Sequence, residues 1–210
     1  PRAQENGSGT PVHAVTATSD AVGAVELFAA MAPSAEVIAG IDEWSDTADL
    51  CAKKDVVVVG SSIVNLDAYA VNGVLQRIRF VSTGDGQLII EVNSPEGCQR
   101  FPNAVEHSGG RQHYGFVTVC RSPFNYNKNL IWIAGISGMG TQAAARFARD
   151  LVREPTNTLD GRKNGATTDD PTVAVVRPVP RHGKRLADYQ GKWRIDDYEI
   201  ILQALAVAGH

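Results

Sequence analysis

The chain has 210 residues, 43% of them apolar, with 20 Lys and Arg against 23 Asp and Glu, which is enough to bury the core of one globular α/β domain. A net charge of -3 excludes the basic excess that draws a protein to nucleic acid or anionic lipid. No apolar run approaches the roughly 18 residues of a spanning helix; the start, PRAQENGSGTP, has no signal-peptide core, and Cys51, Cys98 and Cys120 are spaced like reduced thiols, so a cytoplasmic protein is expected.

Residues 1–10 are polar and Gly-rich and read as a flexible lead-in to a single domain over 11–210; without an initiating Met the chain is expected to be processed or cut from a longer one. Val12 to Thr16 reads as a first strand, Thr18-Ser19-Asp20 as a cap, and Ala21 to Ala32 as a helix with Val22, Val25, Phe28 and Ala29 on one face. Ala35 to Ile41 suits a second strand and Ser45 to Lys53 a short helix. The four valines from Val56 predict a central parallel strand covered on both faces, followed by a polar loop and a helix over Leu66 to Leu75.

IRFVSTGDGQLIIEV is two β-rich runs around Thr83-Gly84-Asp85-Gly86, a hairpin signal. Pro95 to Arg111 reads as a turn-rich surface excursion, Tyr114 to Cys120 as a strand, and Arg121 to Lys128 as a connection containing Pro123. Asn129 to Val152 joins an apolar run (Leu130 to Ala134), a glycine turn (Gly135, Gly138, Gly140) and an Ala-rich helical run. Glu154 to Pro171 reads as a mobile loop, Thr172 to Val176 as a strand, and Asp197 to Ala206 as a strand or a short helix, the strand favoured early in it. These elements predict a three-layer, Rossmann-like or flavodoxin-like α/β fold: a mostly parallel central sheet, helices on both faces, and a β-hairpin.

Gly135 and Gly140 have the G-x4-G spacing of a phosphate loop, but Thr141-Gln142 stand where Lys and then Ser or Thr are required, which argues against an NTPase. Gly135-x-x-Gly138-x-Gly140 is not the spacing of a dinucleotide fingerprint, and it comes late in the chain. Gly135-Ile136-Ser137-Gly138-Met139 satisfies G-x-S but lacks the last glycine of a nucleophile elbow; His182 with Asp196 or Asp197 would supply a base and its orienter, in an order unlike that of the hydrolases. His13, His107, His113, His182 and His210 are scattered without metal-ligand spacing, and no metal or cofactor is expected. Arg177, Arg181, His182, Lys184 and Arg185 form a local basic cluster that reads first as a solvated loop.

If Val12 to Thr16, Val56 to Val59 and Leu130 to Ala134 run parallel, their carboxyl ends bring Thr18-Ser19-Asp20, Ser61, Ser62 and Asn65, and Ser137, Gly138, Gly140 and Thr141 to one edge, where open α/β sheets bind ligands. Ser61, Asn65 and Thr141 also read as helix caps, which does not exclude binding.

Two segments carry a resemblance. Val56-Val57-Val58-Val59-Gly60-Ser61 followed by Asn65 is similar to an apolar strand with V-G-G-P-x-x-N, and Ile133-Ala134-Gly135 with Gly140-Thr141 and Ala143-Ala144-Ala145 is similar to A-G-x-x-x-x-G-T-x-A-A. Together they resemble a little-characterised α/β module of prokaryotic multidomain signalling or conflict proteins and, more distantly, domains of archaeal surface-layer proteins. Ser61-Ser62 departs from the Gly-Pro of that pattern. The resemblance implies a sensing, scaffolding or assembly module and transfers no catalytic residue. The expected function is therefore a non-catalytic domain binding a small polar or anionic ligand, or a protein partner, at the glycine-loop edge. The alternatives are an enzyme acting there on a nucleotide, sugar or acyl substrate, and a structural assembly domain marked by an exposed apolar patch.

Overall fold

The computed structural model describes residues 44–63, 65–94, 97–102, 112–153, 172–179 and 197–205, together with Ala24. The strands expected at Val12 to Thr16 and Ala35 to Ile41, the cap at Thr18-Ser19-Asp20, the loop at Glu154 to Pro171 and most of the basic cluster lie outside the described residues, as does the helix over Ala21 to Ala32 apart from Ala24.

Three helices, α1 (Trp44–Lys53), α2 (Leu66–Val74) and α3 (Gly138–Arg153), accompany eight strands among the described residues. These are β1 (Val56–Val59), β2 (Ile78–Ser82), β3 (Leu88–Ser94), β4 (Gly97–Pro102), β5 (Gly115–Ser122), β6 (Asn125–Gly135), β7 (Thr172–Val179) and β8 (Asp197–Leu205). They form a five-stranded sheet in the order β1-β6-β5-β7-β8 and a separate three-stranded sheet in the order β2-β3-β4.

This corrects the expected Rossmann-like fold. Among the described strands only β1 and β6 are parallel; β6-β5, β5-β7 and β7-β8 are antiparallel, and so are the described pairs of the smaller sheet. An apolar run such as Leu130 to Ala134 reports burial on both faces and is silent about direction. Direction follows from the connections, and a tight turn at Pro123-Phe124 forces β5 and β6 antiparallel because a parallel pair needs a crossover of about a dozen residues or more. The expected connection over Arg121 to Lys128 is in fact the end of one strand and the beginning of the next. Likewise, 97–102 of the expected surface excursion is β4, paired along its length with β3. β1 lies at the end of the described strand order, with β6 as its neighbour, instead of in the centre.

The large sheet alternates with period two between two cores. On one face Val117, Ile133, Ala174 and Val176 meet Ala143, Ala144, Ala145, Phe147 and Ala148 of α3. Alanines on that helix let it lie close to the sheet across β5, β6 and β7. The other face, carrying Val58, Phe116, Leu130, Trp132, Ala134, Val173 and Val175, is covered by Ile78, Phe80, Ile90, Val92 and Phe101 of the small sheet and by Cys51, Ala68 and Val71 of α1 and α2. Here a second sheet takes much of the place expected for a helix layer. Phe80, Phe116 and Trp132 pack as a cluster with centroid separations of 5.4, 5.7 and 4.8 Å and tilted or edge-on rings, the geometry favoured by the aromatic quadrupole.

The expected hairpin is present, with Thr83 N–H donating to Gln87 O, Gly86 N–H to Thr83 O, and Gly86 at φ +79°. On the outer face of the small sheet Glu91, only 3% exposed, sits in register between Arg79 and Arg100 and accepts from both, at 2.7 to 3.0 Å. The β5-β6 hairpin closes α1: Ser122 Oγ donates to Cys51 O at 2.9 Å and Asn125 Nδ2 to Ala52 O at 2.7 Å, pairing carbonyls that a helix end leaves without partners.

Candidate functional site

The parallel pairing of β1 with β6, from Val56 with Leu130 to Val59 with Ile133, brings the two strand exits side by side. Gly60 N–H extends the ladder by donating to Ile133 O at 2.8 Å, and the buried Trp132 indole donates to Gly60 O at 3.0 Å. Gly60 then turns at φ 124°, a conformation that glycine enters without steric cost, and the chain leaves the sheet as Ser61-Ser62-Ile63. Ser61 and Ser62 are half-buried and Ile63 is exposed.

Asn65 ends this loop as the N-cap of α2. Its Oδ1 accepts from Asp67 N and Ala68 N at 2.8 and 3.1 Å, while Nδ2 donates back to Val59 O at 2.9 Å. The side chain ties helix to strand, so its principal role is structural. Asp67, in the first turn, has its carboxyl pushed up by burial, partly opposed by the hydrogen bond from Thr47.

The second exit carries the glycine turn, and here the glycines are explained by packing. A Cβ on Gly140 would lie 2.6 Å from the Tyr114 carbonyl carbon, one on Gly115 equally close to the Gly140 carbonyl carbon, and one on Gly135 only 2.5 Å from that same atom. The start of α3 therefore rests backbone to backbone on the start of β5 and the end of β6. Ile136 N–H donates to Tyr114 O at 2.9 Å and locks the crossing. Gly140 and Thr141, both expected at the ligand edge, are buried, and Thr141 Oγ1 turns back toward Ser137 O at 3.4 Å. Ser137 and Gly138 remain partly exposed.

Ser137 caps α3: its Oγ accepts from Gly140 N at 3.2 Å and its carbonyl from Thr141 N at 3.0 Å. The same Oγ lies 2.7 Å from Nδ1 of His113, itself half-buried. In the sequence His113 is one of five scattered histidines, with no spacing that ties it to Ser137. β5 and β6 pair Gly115 with Gly135, and two residues further along the same register His113 faces Ser137.

The base expected at His182 and its partner Asp196 fall outside the described residues; Asp197 is exposed at the start of β8, where its carboxylate accepts from Tyr198 N at 2.8 Å. Among the described residues no non-glycine has positive φ, so Ser137 is presented by a relaxed helix start and not by the strained turn of a nucleophile elbow. Among the described residues, too, no three His, Cys, Asp or Glu side chains converge as a metal site, and no helix is long and apolar enough to cross a membrane.

No protein-family model matches this chain, and no similar curated protein or solved structure was found.

Proposed function

We propose that the edge formed by the exits of β1 and β6 binds a small polar or anionic ligand, with Ser61, Ser62, Ser137 and Gly138 as its partly exposed contacts and His113 as an additional one. The observation that carries this reading is the 2.7 Å pairing of His113 with Ser137 beside a second, serine-lined strand exit. Hydroxyls donate and accept, an imidazole is either a neutral donor and acceptor or a cation, and the opening N–H groups of a helix favour negative charge. The kinship with prokaryotic signalling modules belongs to the same proposal, as does a cytoplasmic setting, in keeping with free thiols at Cys51, Cys98 and Cys120. A second reading, an enzyme acting at this edge, is favoured by one observation: a ring nitrogen stands within proton-transfer distance of a serine hydroxyl.

The test is a thermal-shift and calorimetric screen with inorganic phosphate, sulfate, nucleotides and sugar phosphates, repeated on the double variant Ser61→Ala, Ser62→Ala and on Ser137→Asn, which retains a capping side chain. A ligand that binds the native state raises its stability by about 2.7 kcal/mol at a hundredfold excess over Kd. One class should raise the melting temperature in a dose-dependent way, with the effect lost in the folded variants. No shift from any class at millimolar concentration would overturn the reading.

A further inference from the structure

Resting on the second reading of this edge, as the site of an enzyme, we propose that Ser137 is an acyl-accepting nucleophile, that His113 is its base, and that the substrate class is small carboxylic esters. Three features set the pair apart from an ordinary helix cap. A cap needs only the acceptor side of the hydroxyl, and Gly140 N–H already uses it; the remaining contact, from a residue 24 positions earlier in the chain, joins Oγ to a ring nitrogen. Both side chains are carried on backbone that the glycine crossing holds rigid, through Gly115 against Gly140 and Ile136 N–H on Tyr114 O, the preorganisation that a reacting pair requires. Finally, both are partly exposed, so a substrate reaches them.

In the reaction, His113 Nδ1 takes the Oγ proton as Oγ forms a bond to the ester carbonyl carbon, and the carbonyl π electrons move onto oxygen. The N–H groups of Gly138 and Met139 lie between Ser137 and the capped Gly140, at a helix start whose first N–H groups are free of intrahelical partners and suit a developing oxyanion. Collapse breaks the bond to the leaving oxygen, which receives the proton from His113 and departs as the alcohol. Water, deprotonated by the same nitrogen, then cleaves the acyl-serine, releasing the carboxylic acid and restoring the Ser137 hydroxyl.

The experiment treats the intact protein with a fluorophosphonate probe and, separately, with p-nitrophenyl acetate, reading the adduct by intact mass and peptide mapping and nitrophenolate by absorbance. The expected result is one adduct on Ser137, absent from Ser137→Asn and slowed at least tenfold in His113→Gln, with folding of each variant checked by circular dichroism. An adduct elsewhere, none at all, or labelling of His113→Gln at the parent rate overturns the proposal. The ligand screen separates the two readings. A thermal shift without labelling sinks the nucleophile and leaves the binding site, labelling without a shift supports the nucleophile alone, and neither sinks both.

Discussion

Replacing Gly140 with Ala tests the backbone crossing on which the whole site depends. The added methyl would lie 2.6 Å from the Tyr114 carbonyl carbon and closer still to its oxygen, inside the 3.0 Å below which real Cβ atoms essentially never approach another heavy atom. The obstructing atoms are main chain and cannot rotate aside, so α3 has to lift from β5. Overpacking of this kind costs about 1–3 kcal/mol, here at the upper end. Against it stands a gain of about 1 kcal/mol from Ala over Gly inside a helix. The net loss is about 2 kcal/mol, a fall in melting temperature of roughly 4–8 °C for a chain of this size. Gly73 in α2 provides the control, since a Cβ there meets nothing within 4 Å, and Gly73→Ala should be neutral or stabilising by about 0.5 kcal/mol. Urea unfolding followed by tryptophan fluorescence measures both. A Gly140→Ala midpoint equal to or above that of the parent would refute the crossing.

Asn65→Ala should lose about 1 kcal/mol in the same assay through the lost cap, and Asn65→Asp should recover only part of it, because it restores the acceptor while setting a carboxylate against Val59 O, where Nδ2 now donates. Glu91 predicts a pH effect. The hydrogen bonds from Arg79 hold its carboxyl below the ordinary 4.5, against the desolvation that opposes them, with Arg100 adding to the effect. A depressed native pKa contributes stability that is complete above pH 4.5 and is lost as the pH falls through the native value, so Glu91→Gln should unfold with a shallower pH dependence below 4.5; an unchanged acid profile would exclude the ion ladder as its source. Burial pushes the thiols of Cys51 and Cys120 up to about 11, whereas Cys98 is exposed. A thiol reagent at pH 7.5 should therefore label Cys98 alone in the native protein and all three cysteines in denaturant, and rapid native labelling of Cys51 would contradict its place in the core.

The elements readable from sequence were those whose signal is local. Thr83-Gly84-Asp85-Gly86 announces its hairpin because a glycine at positive φ is a property of a few residues, and the helices at Trp44–Lys53, Leu66–Val74 and Gly138–Arg153 announce themselves by spacing and caps. The side-by-side exits of Val56–Val59 and Leu130–Ala134 were legible too, and Ser61, Ser62 and Ser137 do lie at those exits. Sheet direction was not. For β5 and β6 it hung on a short turn at Pro123-Phe124 whose neighbours, Asn125 to Lys128, are too polar to read as strand, and together with the antiparallel pairing of β7 with β5 and β8 it makes the expected parallel sheet a largely antiparallel one. Along β4, only Phe101 among its described side chains is buried, which is why 97–102 looked like loop.

The glycines show the same division most sharply. Their presence at 115, 135 and 140 is written in the chain, and sequence alone favoured a ligand loop over Gly135 to Gly140. Only the folded backbone shows that each is where another main chain passes too close for a Cβ. His113 and Ser137 are 24 residues apart with no spacing rule between them, and their meeting at 2.7 Å is a consequence of antiparallel register. Composition, local turn chemistry and helix periodicity belong to the sequence because they act over a few residues. Which strands pair, in which direction, and which side chains thereby face one another was decided by tertiary structure, because those contacts are made between segments whose order in the chain does not specify their neighbours in space.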